Sequence, residues 1–215
     1  MTIPTDTFGT NGHGRESLDS RPLVVGIGGS MRPGSTTLAA LERALAAAAF
    51  AGARTDLLDV RALSLPMYEP DLPLSAFGDN AVRLVDAVRR ADALLFAAPA
   101  YQGTLAGVVK NAIDYLQYLA DDDPPYLTGK VAGLIATADG GQAAPNAVAA
   151  LVHAAHALRA VVAPFTISIP RAWSLLDAEG EIAADPWGRR LDALGQQVAG
   201  LAAALRPATP VAERR

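Results

Sequence analysis

The feature of this 215-residue sequence that most restricts its fold is a fivefold alternation of short apolar runs with stretches of helical periodicity. The apolar runs are Leu23–Gly29, Thr55–Val60, Ala93–Ala98, Val131–Ala138 and Val161–Ile169. Helices are expected from Thr36 or Thr37 to Phe50, from Asp79 or Asn80 to Arg90, and over 105–119, 144–158 and 186–205. In the third, Leu105, Val108, Val109, Ala112, Leu116 and Leu119 recur at helical spacing. A run such as the first, apolar throughout and bounded by glycines, predicts a strand buried on both faces. Strands joined through helices are parallel, and right-handed crossovers place those helices on both faces of one sheet.

Five such units fit an α/β, flavodoxin-like three-layer sandwich: a five-stranded parallel sheet of order 2-1-3-4-5 with helices on both faces. In that winding the ligand crevice lies at the C-terminal ends of strands one and three. The loops after strands one, three and four should therefore carry the chemistry. Residues 61–78, with Pro66, Pro70 and Pro73, read as loop. A single domain over 21–206 is expected between a polar tail at 1–20, which has no apolar core of a secretory signal, and a second tail at 207–215. A net charge of −4 and a pI near 5.3 give no attraction to nucleic acid. No apolar run approaches the ~20 residues of a membrane-spanning helix. The absence of cysteine removes disulfides, thiolate metal sites and a cysteine nucleophile, and suits a cytoplasmic protein.

The first loop belongs to the stretch LVVGIGGSMRPGSTT, Leu23 to Thr37. A strand that runs through glycines and hydroxyls into a helix is a phosphate site. The helix start offers unpaired N–H groups, and Arg32 adds a full charge. A P-loop would need a lysine after Gly34, which is missing. A dinucleotide fingerprint begins at Gly26-Ile27-Gly28, but Met31 stands in place of its third glycine; Asp59, at the end of strand two, keeps that reading open. The hydroxyls of Ser30, Ser35, Thr36 and Thr37 beside Arg32 suit a terminal phosphate dianion, as in flavin mononucleotide (FMN), better than a pyrophosphate diester.

The loop after strand three, Pro99-Ala100-Tyr101-Gln102-Gly103-Thr104, offers a planar side chain and exposed backbone donors. The loop after strand four, Thr137 to Gln142, pairs Gly140 with Gly141, which allows backbone to approach a ring. Together the three loops outline a crevice with a phosphate at one end and a flat heterocycle across the other.

The segment GGSMRPGSTT resembles the G-S-x-R-x-x-S loop of the NADPH-dependent FMN reductase family. PAYQGTLAGVVKNAIDYL is similar to that family's second signature, a P-x-Y turn leading into a G-x-x-K-N-x-I-D-[WY]-L helix. The resemblance runs from about Leu23 to Leu205. It implies non-covalent FMN and hydride transfer to it from NADPH or NADH, with no dedicated catalytic residue. By position, Ser30, Arg32, Ser35, Thr36 and Thr37 would hold the FMN phosphate. Pro99, Ala100, Tyr101, Gln102, Gly103 and Thr104 would line the ring and ribityl chain, and Gly140 and Gly141 its pyrimidine side. The family further implies a homodimer or homotetramer built on helix 105–119.

Many quinone- and metal-reducing members read P-E-Y-N, and Pro99-Ala100-Tyr101-Gln102 lacks both the Glu and the Asn. The small residue at 100 looks more like members that supply reduced FMN to a partner monooxygenase. Ala106 replaces a common proline. Two alternatives stand beside the flavin-supplying reading: a quinone, azo or metal-type reductase of the same fold, and a flavodoxin-like electron carrier without nicotinamide turnover. His153 and His156, three apart, have no third ligand nearby and read as helix-surface or interface residues. Lys110 and Asp114 read as an i,i+4 pair. Trp173, in the long loop before the last helix, reads as core, interface or a cover for nicotinamide.

Overall fold

The structure is a computed structural model that describes residues 20–177, 180–182 and 184–206. The expected tails at 1–20 and 207–215 lie outside these, apart from Ser20. Strands are β1 (Leu23–Gly28), β2 (Arg54–Asp59), β3 (Ala93–Tyr101), β4 (Thr104–Leu105), β5 (Val131–Thr137), β6 (Val161–Val162) and β7 (Ile167–Ile169). The α-helices are α1 (Thr36–Phe50), α2 (Val60–Leu63), α3 (Asp79–Arg90), α4 (Gly107–Asp114), α5 (Ala143–Ala157) and α6 (Arg189–Leu205). The sheet runs β2-β1-β3-β5-β6, with β7 also on β5 and β4 on β3. All pairs are parallel except β3 with β4.

Alternation along the central strands sends side chains into two cores. Leu94 and Phe96 of β3 join Leu84, Val88, Val109 and Leu116 beneath α3 and α4. Ala93, Leu95 and Ala97 join Leu41, Leu45, Leu194 and Val198 beneath α1 and α6. Alanine dominates the buried face of α1, with Ala40, Ala44, Ala47 and Ala48, and this lets the helix lie close to its neighbours. On β5, a Cβ at Gly133 would come within 2.6 Å of both Leu95 and Val198, so the sheet also meets α6 without a side chain between.

Seven strands replace the expected five, for two local reasons. The edge strand is interrupted: Val131 pairs with Val161, but Ile135 pairs with Ile167, so the edge carries extra residues as a bulge would. Pro164, which has no N–H to offer a ladder, lies in that interruption. The second reason is that β3 does not stop at Pro99. Ala97 O accepts from Gly29 N, so its backbone faces β1, and two residues on Pro99 faces the same way after β1 has ended. There β4 takes over the edge, with Ala106 N donating to Pro99 O at 2.9 Å.

Residues 61–78 are not wholly loop, since Val60–Leu63 and Leu74–Phe77 form short helices. An aromatic group ties the segment down: Tyr68 packs edge-on against Tyr115 at 5.6 Å, and Phe77 against Tyr115 at 5.1 Å between centroids. Buried Asn111 accepts from Tyr68 N at 2.9 Å and donates to Pro66 O at 2.8 Å. The expected helix over 105–119 starts at Gly107 and tightens to a 3₁₀ turn from Tyr115 to Leu119. A single π turn, Ala184–Gly188, precedes α6.

Candidate functional site

The first loop leaves β1 pressed flat against β3. A Cβ on Gly28 would stand 2.1 Å from Ala97 O, and Gly29, at φ +100°, takes a backbone conformation that suits glycine. Ser35, not Thr36 or Thr37, caps α1: its Oγ accepts from Leu38 N at 3.2 Å. Ser30 Oγ likewise accepts from Arg32 N at 3.2 Å. Each of these hydroxyls accepts an N–H and keeps its own proton to donate. No acidic residue stands in the first turn of α1, and among the described residues the exposed Arg32 guanidinium has no carboxylate partner. The loop is thus a set of donors at the positive end of a 15-residue helix.

The second wall is the β3–β4 hairpin, in which Ala100 pairs with Leu105 and Tyr101 with Thr104. Both turn residues have positive φ, Gln102 at 49° and Gly103 at 85°, as a type I′ turn requires. Tyr101 is 51% exposed. The third wall comes from the end of β5 and the start of α5. Ala138 N donates to Ile169 O, and Ala172 N to Ala138 O, both at 2.9 Å; this carries Trp173, 69% exposed, to the rim.

One cleft gathers these walls, enclosing about 720 Å³ of space that includes part open to solvent. It brings together Ser30, Arg32, Ser35, Thr36, Thr37, Pro99, Ala100, Tyr101 and Gly140 of the expected positions. Gln102, Gly103, Thr104 and Gly141 lie off its lining, the first three because the turn carries them outward past Tyr101. Gly34, Thr137, Ala138, Asp139, Ala143 and Ala172 line it without having been singled out, and Trp173 joins them. Thr137 and Asp139 had one signal in the sequence, their place directly at the end of strand four. Arg32 is the one basic lining residue and Asp139 the one acidic one.

Other residues of interest fall elsewhere in the fold. Asp59 does not face a ribose: its carboxylate caps α2, accepting from Arg61 N at 3.0 Å, and would crowd any side chain at Gly29. Lys110 pairs with Asp114 across one turn of α4, on the surface. His153 and His156 are exposed on α5, and no cluster with metal-binding composition occurs among the described residues. None of the described helices is long and apolar enough to cross a membrane.

Residues 22–174 match the sequence pattern of the family described as NADPH-dependent FMN reductase. The chain belongs to that family. A relative, the NAD(P)H-dependent FMN reductase PA1204 of Pseudomonas aeruginosa, is 37% identical over 117 residues, which span 54% of this chain and 60% of that protein. Among solved structures, RosB with a bound 8-demethyl-8-formylriboflavin-5'-phosphate intermediate superimposes with a TM-score of 0.67 at 17% identity, over 86% of this chain and 80% of its own. FerB, an NAD(P)H:acceptor oxidoreductase from Paracoccus denitrificans, gives 0.61 at 24% identity, over 82% of this chain and 97% of its own. At those identities the two structures speak to the fold, which is flavodoxin-like. Within the family's pattern, both signature segments contribute walls of the same cleft.

Proposed function

We propose that this chain is an NAD(P)H-dependent FMN reductase whose cleft holds FMN by its phosphate. The observation that carries the reading is the donor set at the start of α1, with an Arg32 that has no carboxylate partner among the described residues, in one cleft with the exposed aromatic side chains of Tyr101 and Trp173. A dianion fits there, because free hydroxyl protons, helix N–H groups and a guanidinium converge with no carboxylate in the helix turn.

In this reading bound FMN would supply the redox chemistry, a hydride transfer from the nicotinamide. The chain's own residues bind and orient. Ser30, Arg32, Ser35, Thr36 and Thr37 grip the phosphate, while Pro99, Ala100, Tyr101 and Gly140 border the ring. Gln102, Gly103, Thr104 and Gly141 enter only as turn residues that shape two walls. No proton-transferring side chain is required, and Tyr101 and Trp173 shield one side of the reacting partners from water.

Small Ala100 favours the supply of reduced FMN to a flavin-dependent monooxygenase. Half-buried Leu105 and Val108 support a homodimer or homotetramer across the 105–119 segment, and the cysteine-free sequence supports a cytoplasmic setting. Steady-state NAD(P)H oxidation with free FMN, compared with quinone and dye acceptors, tests the proposal. Saturation by free FMN supports it. Turnover only through a retained flavin and a quinone would move the assignment to a quinone reductase. FMN binding without any nicotinamide oxidation would make the chain an electron carrier instead.

A further inference from the structure

Thr37, in the first turn of α1, and Thr137, the last residue of β5, are 100 positions apart in sequence, yet their hydroxyl oxygens lie 2.6 Å apart. Both residues are 1% exposed, and both line the cleft. A threonine hydroxyl has one proton to donate and two acceptor sites. Neither hydroxyl has another hydrogen-bond partner among the described residues. Two protons are therefore available, one is used between the oxygens, and the other is left at the floor of the cleft.

Which oxygen keeps the spare proton is decided by the neighbours. Thr37 belongs to the helix start that also carries Ser35 and Thr36, close to Ser30 and Arg32, whereas Thr137 lies at the end of a strand, two residues before Asp139. An anion is drawn to the first surrounding and away from the second. We propose that Thr137 is a positioning residue for anion binding. Its hydroxyl donates to Thr37, which turns the proton of Thr37 towards the phosphate end of the cleft. A hydroxyl that accepts one hydrogen bond becomes a stronger donor in the next, so the chain Thr137–Thr37–phosphate oxygen is cooperative. The inference rests on the proposed FMN site and adds to it a residue that need not touch the ligand.

The test is the affinity of the folded protein for FMN and for riboflavin, which lacks the phosphate, in wild type, T137V, T137S, T37V and the T37V/T137V double variant. Wild type is expected to bind FMN more tightly than riboflavin. T137V is expected to weaken FMN about three- to tenfold, the range of a modest hydrogen bond, while riboflavin affinity stays within about twofold. T137S restores FMN binding. In the T37V background T137V causes no further loss, because Thr137 acts only through Thr37. The inference is overturned if T137V weakens both flavins alike, if it leaves FMN affinity unchanged, or if its loss persists in full beside T37V. Equal binding of FMN and riboflavin by wild type would overturn the phosphate site itself, a result distinct from all of these.

Discussion

Gly195 of α6 rests on the backbone of α1 at Ala44: a Cβ added to it would fall 2.1 Å from Ala44 O and 2.9 Å from Ala47 Cβ. The absence of one carbon sets how close the two helices lie. Gly195→Ala is therefore expected to destabilise the protein by about 3 kcal/mol, as overpacking of a tight contact does. Gly200, on the same helix but with open space around it, provides the contrast. Gly200→Ala should be neutral or stabilising by up to ~1 kcal/mol through helix propensity. Urea denaturation of both variants measures the difference, and equal effects would refute the close-contact account.

Arg32 is exposed and has no acidic partner among the described residues, so its removal should leave the fold intact. Arg32→Ala is expected to weaken FMN binding about 10- to 100-fold, the range for a hydrogen bond to a charged group, with the unliganded melting temperature unchanged. Arg32→Lys should recover only part of the loss, because an ammonium lacks the planar fork. A flavin titration of the two variants decides; undiminished affinity in Arg32→Ala would remove the arginine from the site.

Trp173 gives the cleft its own spectroscopic reporter. The sequence holds two tryptophans, and the other, Trp187, sits against the Arg190 guanidinium at 5.0 Å and is not on the cleft lining. FMN is expected to quench mainly the emission of Trp173, so Trp173→Phe should abolish most of the quenching while Trp187→Phe preserves it. Quenching that survives Trp173→Phe in full would place the flavin elsewhere.

Lys130 lies at the opposite end of the sheet, where its Nζ donates to Arg89 O at 3.0 Å and to Ala91 O at 2.5 Å. Burial lowers its pKa below the ordinary 10.5, more than Asp92 and Asp122 raise it. Below the folded-state value both states are protonated, and the folded chain bears the cost of a buried charge. Between that value and 10.5 the unfolded chain binds more protons, so the Lys130 contribution to stability rises with pH and then levels off. Denaturation of wild type and Lys130→Met across alkaline pH should show the gap shifting in favour of wild type as pH approaches 10.5. A pH-independent gap would sink the assignment.

The sheet order was legible because Leu23–Gly28, Ala93–Ala98 and Val131–Thr137 are apolar on both faces, and only central parallel strands combine that with intervening helices. That Ser30, Arg32, Thr36 and Thr37 share one stretch of wall was legible as well, since they belong to one loop. What escaped depended on distance along the chain. Pro99 reads as a strand end by its missing N–H, yet its ring position faces a gap left by β1, a circumstance of the neighbouring strand. Asp59 stands in sequence where a ribose-binding acid would, and only the presence of α2 beside it shows the cap it makes. Thr137 and Trp173 reach the cleft through β5 and the bonds joining Ala138 to Ile169 and Ala172, relationships that residue spacing does not encode.

The two-residue hairpin after Pro99 has an evolutionary consequence. The phosphate end of the proposed site is anchored in α1 and β5, both locked into the cores, so its backbone cannot drift without disturbing the fold. The hairpin tip is free of that burden: Gln102 is exposed, and nothing lies within 4 Å of where a Cβ on Gly103 would project. Its length and sequence can drift while the sheet beneath stays fixed. On the proposed FMN site, a lineage built on this scaffold could therefore change which molecule approaches the flavin's open edge by rewriting a few residues at the tip, with retention of the flavin inherited unaltered.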